Sequence, residues 1–148
     1  MNIPLKYSQD FYVNRLVTEW LAHEKIIVAC DLDDTIFPYN ESQAKQCEKT
    51  IKVLKYAATE GIILIGNTAR EPEKLIHSIQ DMEDIGLDPE SINIMPESWM
   101  LDIGRSGKIY ANIYLDDRGG LVQALNHLST ATQKVKEIRE QIKLNTKL

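Results

Sequence analysis

Cysteine and histidine are scarce in this chain. The two cysteines, Cys30 and Cys47, have neither CxxC nor metal-ligand spacing, which leaves no thiolate metal cluster to consider. Cys30 lies in an apolar run and reads as a small core residue. Cys47 falls in a helical pattern, and a reduced, cytoplasmic setting is expected. The three histidines, His23, His77 and His127, read as surface or helix residues. Long apolar runs are missing too. No stretch reaches the roughly 20 residues that span a bilayer, and the opening "MNIPLKYSQD" has no signal-peptide core. The Asn40-Glu41-Ser42 sequon therefore carries no weight. Nor is there an excess of positive charge. A formal net charge of −5 speaks against general nucleic-acid binding and gives no attraction to anionic membranes. An anionic substrate stays open, because a metal or one lysine reverses the field locally. Repeats, low-complexity segments and linkers are absent.

The 148 residues, 43% apolar and 26% charged, suit one domain with a sizeable core. A first helix, capped by Ser8, has Phe11, Leu16, Trp20 and Leu21 on its apolar side. The β-branched run Ile26–Cys30 predicts a strand, and "TIFPYNES" a loop or flap containing Pro38. A helix from about Ser42 to Thr59 follows, then a strand over Ile62–Ile65. Pro72 suits the first turn of a helix running to Ile85 and stopping near Gly86. "SINIMP" is a short third strand, and Ile113–Leu115 the centre of a fourth. Two helices, Leu121–Leu128 and about Thr132–Leu144, close the chain. The last has a Val135, Ile138, Ile142 stripe, which leaves a homo-oligomer possible.

Apolar strands alternating with helices predict an α/β fold: a three-layer Rossmann-like sandwich, with a mainly parallel sheet and helices on both faces. Such sheets bind ligands beyond the carboxyl ends of their strands. Strand one ends in "DLDD", strand two in "NTAR" and strand four in "DDR", so parallel strands gather all three at one rim. The rim would hold Asp31, Asp33, Asp116 and Asp117, the Thr68 hydroxyl and the Lys108 cation. Clustered carboxylates share protons or hold a hard cation. An oxygen-only set suits Mg²⁺ better than Zn²⁺, and Mg²⁺ engages substrate phosphate.

"DLDDT" (Asp31–Thr35), the strand ending at Thr68, Lys108 and "YLDD" (Tyr114–Asp117) resemble, in order, the four signature motifs of the haloacid dehalogenase-like phosphatase superfamily. The resemblance spans roughly Ile26 to Leu121, and "GKIYANIYLDDRGG" is similar to its small capless members. It implies Asp31 as nucleophile and Asp33 as general acid and then base. It implies Mg²⁺ on Asp31, the Asp33 backbone carbonyl and Asp116, with Asp117 supporting the metal's waters. Thr68, the Ala69 backbone N–H and Lys108 would bind phosphate, with Lys74 the alternative cation. Asp33 must carry a proton to act as acid, so its pKa is expected to be raised. Two positions depart from the commoner pattern: Asp34 and Ala69 stand where many relatives have Gly.

The intervals Thr35–Ile62 and Arg70–Lys108 leave no room for a cap, so the site should be open. The expected organisation is one domain over 1–148: an N-terminal helix to 25, a motif-bearing core over 26–121, and C-terminal helices over 122–148. The expected substrate is a phosphorylated small molecule or a phosphorylated polymer end. Tyr39 on the flap and Trp99 and Met100 have some prospect of lining the site. Arg70 and Arg118 either steer an anionic substrate or pair with nearby acids. "GRSGK" (Gly104–Lys108) lacks the first Gly and the following Ser/Thr of a P-loop.

Rival readings are a receiver domain, a dehalogenase, a phosphotransferase and a non-catalytic binding module. The acidic pair after Lys108 is in the wrong order for a receiver. Asp33 is superfluous to a dehalogenase. A phosphotransferase usually needs a cap to exclude water, and a binding module is expected to lose a central carboxylate.

Overall fold

A computed structural model of the chain describes residues 9–95 and 108–147. Trp99, Met100 and the Gly104–Gly107 part of "GRSGK" lie outside them. The order is α1 (Gln9–His23), β1 (Ile26–Cys30), α2 (Ala44–Ala58), β2 (Ile62–Gly66), α3 (Pro72–Leu75), α4 (Ser78–Asp84), β3 (Pro89–Ile92), β4 (Ile113–Leu115) and α5 (Leu121–Thr146). The four strands form one parallel sheet in the order β3-β2-β1-β4. The fold is α/β, with sheet and helices consistent with a three-layer Rossmann-like arrangement.

Strand β1 is buried along its whole length, so its run of apolar residues serves both faces of the sheet. Ile26, Val28 and Cys30 join the main core with Leu54 of α2, Met82 of α4, and Leu125 and Leu128 of α5. Ile27 and Ala29 face a smaller cluster with Ile65, Met95 and Ala111. Met95, shortly after edge strand β3, and Ala111, shortly before edge strand β4, both pack on that second face. Asn112, buried, ties the layers together. Its side chain accepts the Ile27 N–H at 2.7 Å and donates to Glu19 of α1 at 2.6 Å. Burial pushes both cysteine thiols up, as expected of structural residues.

Several boundaries differ from the sequence reading. In α1, Val13, Leu16, Val17 and Trp20 are buried, whereas Phe11 and Leu21 are exposed. The helix expected from Pro72 is broken in two. The break falls at Ile76–His77, where the His77 N–H donates to the Lys74 carbonyl at 3.3 Å in an i→i−3 bond. Gly86 does end α4, at φ 86°, where a residue with a Cβ is strained. The third strand starts earlier, at Pro89, and stops at Ile92 because Asn93 is left-handed, φ 57°. The two C-terminal helices are one helix of 26 residues. No Gly or Pro interrupts it, and Thr132 turns its hydroxyl back to the Leu128 carbonyl at 2.7 Å. Val135 is buried, but Ile138 and Ile142 are exposed beyond the core.

Candidate active site

The carboxyl ends of β1, β2 and β4 meet at one rim. Central β1 delivers Asp31, whose N–H donates to the Leu115 carbonyl at 2.8 Å. This carries the β1–β4 pairing into the site. The chain then turns tightly, with the Leu32 carbonyl accepting the N–H groups of Thr35, Ile36 and Phe37. Leu32 and Ile36 are buried and pin the turn to the core. Asp34 has φ 63°, the left-handed conformation that Gly, Asn and Asp adopt most readily. Its Oδ1 accepts the Tyr39 and Asn40 N–H groups at 2.8 and 3.1 Å. Asp in place of Gly thus keeps the turn and ties down the flap.

A carboxylate oxygen from each of Asp31, Asp116 and Asp117 can be chosen so that all three lie within 4.8 Å of one another. The Arg118 N–H, donating to Asp116 Oδ1 at 2.9 Å, orients one of them. Thr35, fully buried, holds the others. Its Oγ1 accepts the Asp117 N–H at 3.0 Å and stands 3.1 Å from Asp31 Oδ2 and 3.2 Å from Asp117 Oδ1. One hydroxyl has one proton, so it satisfies one carboxylate at a time. The Asp31 carboxyl is pushed up to about 6, chiefly by burial, then by the hydrogen bond with Asp117 and the charge of Asp116. The cluster therefore carries more negative charge than its own donors neutralise. An all-oxygen donor set with surplus charge fits a hard divalent ion such as Mg²⁺.

Asp31, Asp33, Thr68, Ala69, Asp116 and Asp117 all line one open cavity of about 640 Å³. Lys74 lines it as well. Lys108 is exposed and is not among the residues of that wall. Thr68 is held by a residue the sequence reading passed over. Asn93 Oδ1 accepts the Thr68 N–H at 2.8 Å, and Asn93 Nδ2 donates to the Thr68 carbonyl at 2.8 Å. The Asn93 N–H itself donates to the Gly66 carbonyl at 2.7 Å. A polar residue just after a strand was the available signal, but its target is distant in sequence. The Thr68 hydroxyl accepts the Arg70 N–H at 3.1 Å, which leaves its proton for a ligand.

Arg70 is paired with Asp33, its Nε 3.0 Å from Oδ2 and its NH2 2.8 Å from Oδ1. NH1 reaches Asp81 at 3.3 Å and Ser78 at 3.2 Å, and the guanidinium lies 5.1 Å from the centre of the Phe37 ring. The pairing holds the Asp33 carboxyl below its ordinary value. This reverses the expectation of a raised pKa, because charge-assisted hydrogen bonds to the ionised form outweigh burial. Tyr39 is 78% exposed on the flap, and His77 is exposed at the start of α4.

Among the described residues, no helix is long and apolar enough to cross a membrane. No family model, curated protein or solved structure matches this chain.

Proposed function

We propose that this chain is a magnesium-dependent phosphomonoester hydrolase working through an aspartyl-phosphate on Asp31. The observation that carries the reading is the Asp31–Asp116–Asp117 cluster beside Thr68 in one cavity at the carboxyl rim of a parallel sheet. Asp31, Asp116 and Asp117, with the Asp33 backbone carbonyl, would hold Mg²⁺. The bound ion would offset charge on the phosphoryl oxygens.

Asp31 attacks phosphorus as its ester P–O bond breaks, and Asp33 gives a proton to the departing alcohol oxygen. Asp33 then takes a proton from water, the water oxygen bonds to phosphorus, and the Asp31–phosphorus bond breaks to release phosphate. Splitting the displacement in two gives each step a well-placed nucleophile. Thr68 and the Ala69 N–H donate to phosphoryl oxygens, with Lys74 or Lys108 as the cation. Losing one such donor costs on the order of 3 kcal/mol of transition-state stabilisation. For Asp33 to carry a proton, Arg70 must exchange it for a substrate oxygen. The rivals are a receiver-like or non-catalytic Mg²⁺- and phosphate-binding module and a phosphotransferase.

The test is turnover of a generic aryl phosphate with and without Mg²⁺. Metal-dependent release of phosphate is expected, abolished in Asp31→Asn with the fold intact. A receiver would instead accept and retain phosphate from an acyl phosphate. Near-normal activity in Asp31→Asn would remove Asp31 as nucleophile.

A further inference from the structure

A second cavity, of about 540 Å³, adjoins the first, and the two share Asp33, Arg70 and Lys74. Its size falls in the range of small-molecule sites. Part of its wall is the flap: Phe37, Pro38 and Tyr39. The Tyr39 backbone is fixed by Asp34 while its ring stands in the open. The rest includes Glu73, His77 and Asp81 from α3, α4 and the residues between them.

We propose that this second cavity binds the alcohol part of the substrate, and that this alcohol is an uncharged ring bearing several hydroxyls. The proposal rests on the hydrolase reading, in which Asp33 protonates the leaving oxygen. That oxygen must then lie beside Asp33, and the group attached to it continues into the cavity that Asp33 also lines.

The wall decides the chemistry. An apolar and aromatic flap gives a ring a face to stack on. With Asp33 protonated as the leaving-group acid, two carboxylates, Glu73 and Asp81, are set against two cations, Arg70 and Lys74. With no cationic surplus, a leaving group that carries further phosphates gains no net attraction. Carboxylates accept hydrogen bonds and donate none when ionised, which matches hydroxyl donors around a ring better than a single phenol.

The test uses the full chain with Mg²⁺ and four probes: glucose 6-phosphate, AMP, ADP and a phosphotyrosine peptide. Glucose 6-phosphate should have the highest kcat/KM. Tyr39→Ala should raise its KM about tenfold, the loss of one stacking contact, and barely move inhibition by inorganic phosphate. NMR shifts of Tyr39 and His77 on titration with glucose 6-phosphate provide a readout independent of turnover. Preference for ADP or the peptide, or equal KM changes for all four probes in Tyr39→Ala, overturns the proposal while leaving the hydrolase reading intact. Shifts at Tyr39 and His77 without turnover of any probe would sink the hydrolase reading and keep the cavity's ligand class. Turnover without those shifts would sink the cavity assignment alone.

Discussion

Arg70 grips Asp33 through two parallel hydrogen bonds, Nε to Oδ2 at 3.0 Å and NH2 to Oδ1 at 2.8 Å. The pair favours ionised Asp33, whereas a general acid works protonated. In Arg70→Gln the Asp33 pKa rises, so the basic limb of the kcat/KM pH profile should move to higher pH. The stability sign runs the other way. A depressed folded-state pKa stabilises above the unfolded value and is lost as pH falls through the folded one. The melting-temperature gap between wild type and Arg70→Gln should therefore be full near neutrality and vanish in acid. A gap that grows in acid would show that the pair does not act through Asp33.

Asp31 has the opposite sign. Its carboxyl is raised to about 6, so the metal-free folded chain binds this proton more tightly than the unfolded chain. The contribution is full below the unfolded value and lost as pH rises through about 6. Asp31→Asn should therefore gain stability relative to metal-free wild type between about pH 5 and about pH 7. On the magnesium reading, ion and proton would compete for the same oxygens, so added Mg²⁺ should raise the wild-type melting temperature more at the higher pH. Calorimetry at the two pH values checks both.

Asp34 separates backbone strain from flap anchoring. Asp34→Gly keeps a free φ but loses the bonds to the Tyr39 and Asn40 amides. Asp34→Ala loses them too and adds about 1–2 kcal/mol of left-handed strain. Both variants should speed hydrogen exchange at those two amides, and the alanine variant should denature more easily. Equal stability would mean that the turn relaxes.

Asn93→Gly likewise tolerates φ 57° while removing the clamp on Thr68. On the hydrolase reading Thr68 would hold the phosphoryl group in both ground and transition states, so KM should rise about tenfold with little change in kcat. Inhibition by inorganic phosphate should weaken in parallel. A fall in kcat alone would assign Asn93 to the chemical step.

The strands were legible because their signals are local. Ile26–Cys30 and Ile62–Ile65 are apolar runs ending in polar knots, and the alternation with helices predicts their parallel pairing. The meeting of Asp31, Thr68 and Asp116 at one rim follows from that pairing. The misread features are of two kinds, backbone breaks with no periodic signal and contacts between distant residues. The break between α3 and α4 falls at Ile76–His77 with no Gly or Pro to mark it, and β3 ends on the left-handed Asn93. The Asp33–Arg70 pair spans 37 positions, and nothing in the spacing of "DLDD" tells which cation its second carboxylate meets. The choice between Lys74 and Lys108 as a cavity residue also depends on how the chain folds back.

The placement of Asp31 at the end of the central, fully buried strand governs how the protein can change. Its amide is bonded across to β4, so local fluctuation does not free it, and its hydrogen should exchange at rates close to those of whole-molecule opening. Tyr39 on the flap, Glu73 of α3 and His77 before α4 are exposed and carry no such tether, although Ile36 and Met82 beneath them are core residues. Substitutions that retune ligand choice there cost little global stability, whereas alterations at the β1 terminus draw on the whole fold. New specificities should therefore arise by drift in the outer loops around an unchanging aspartate.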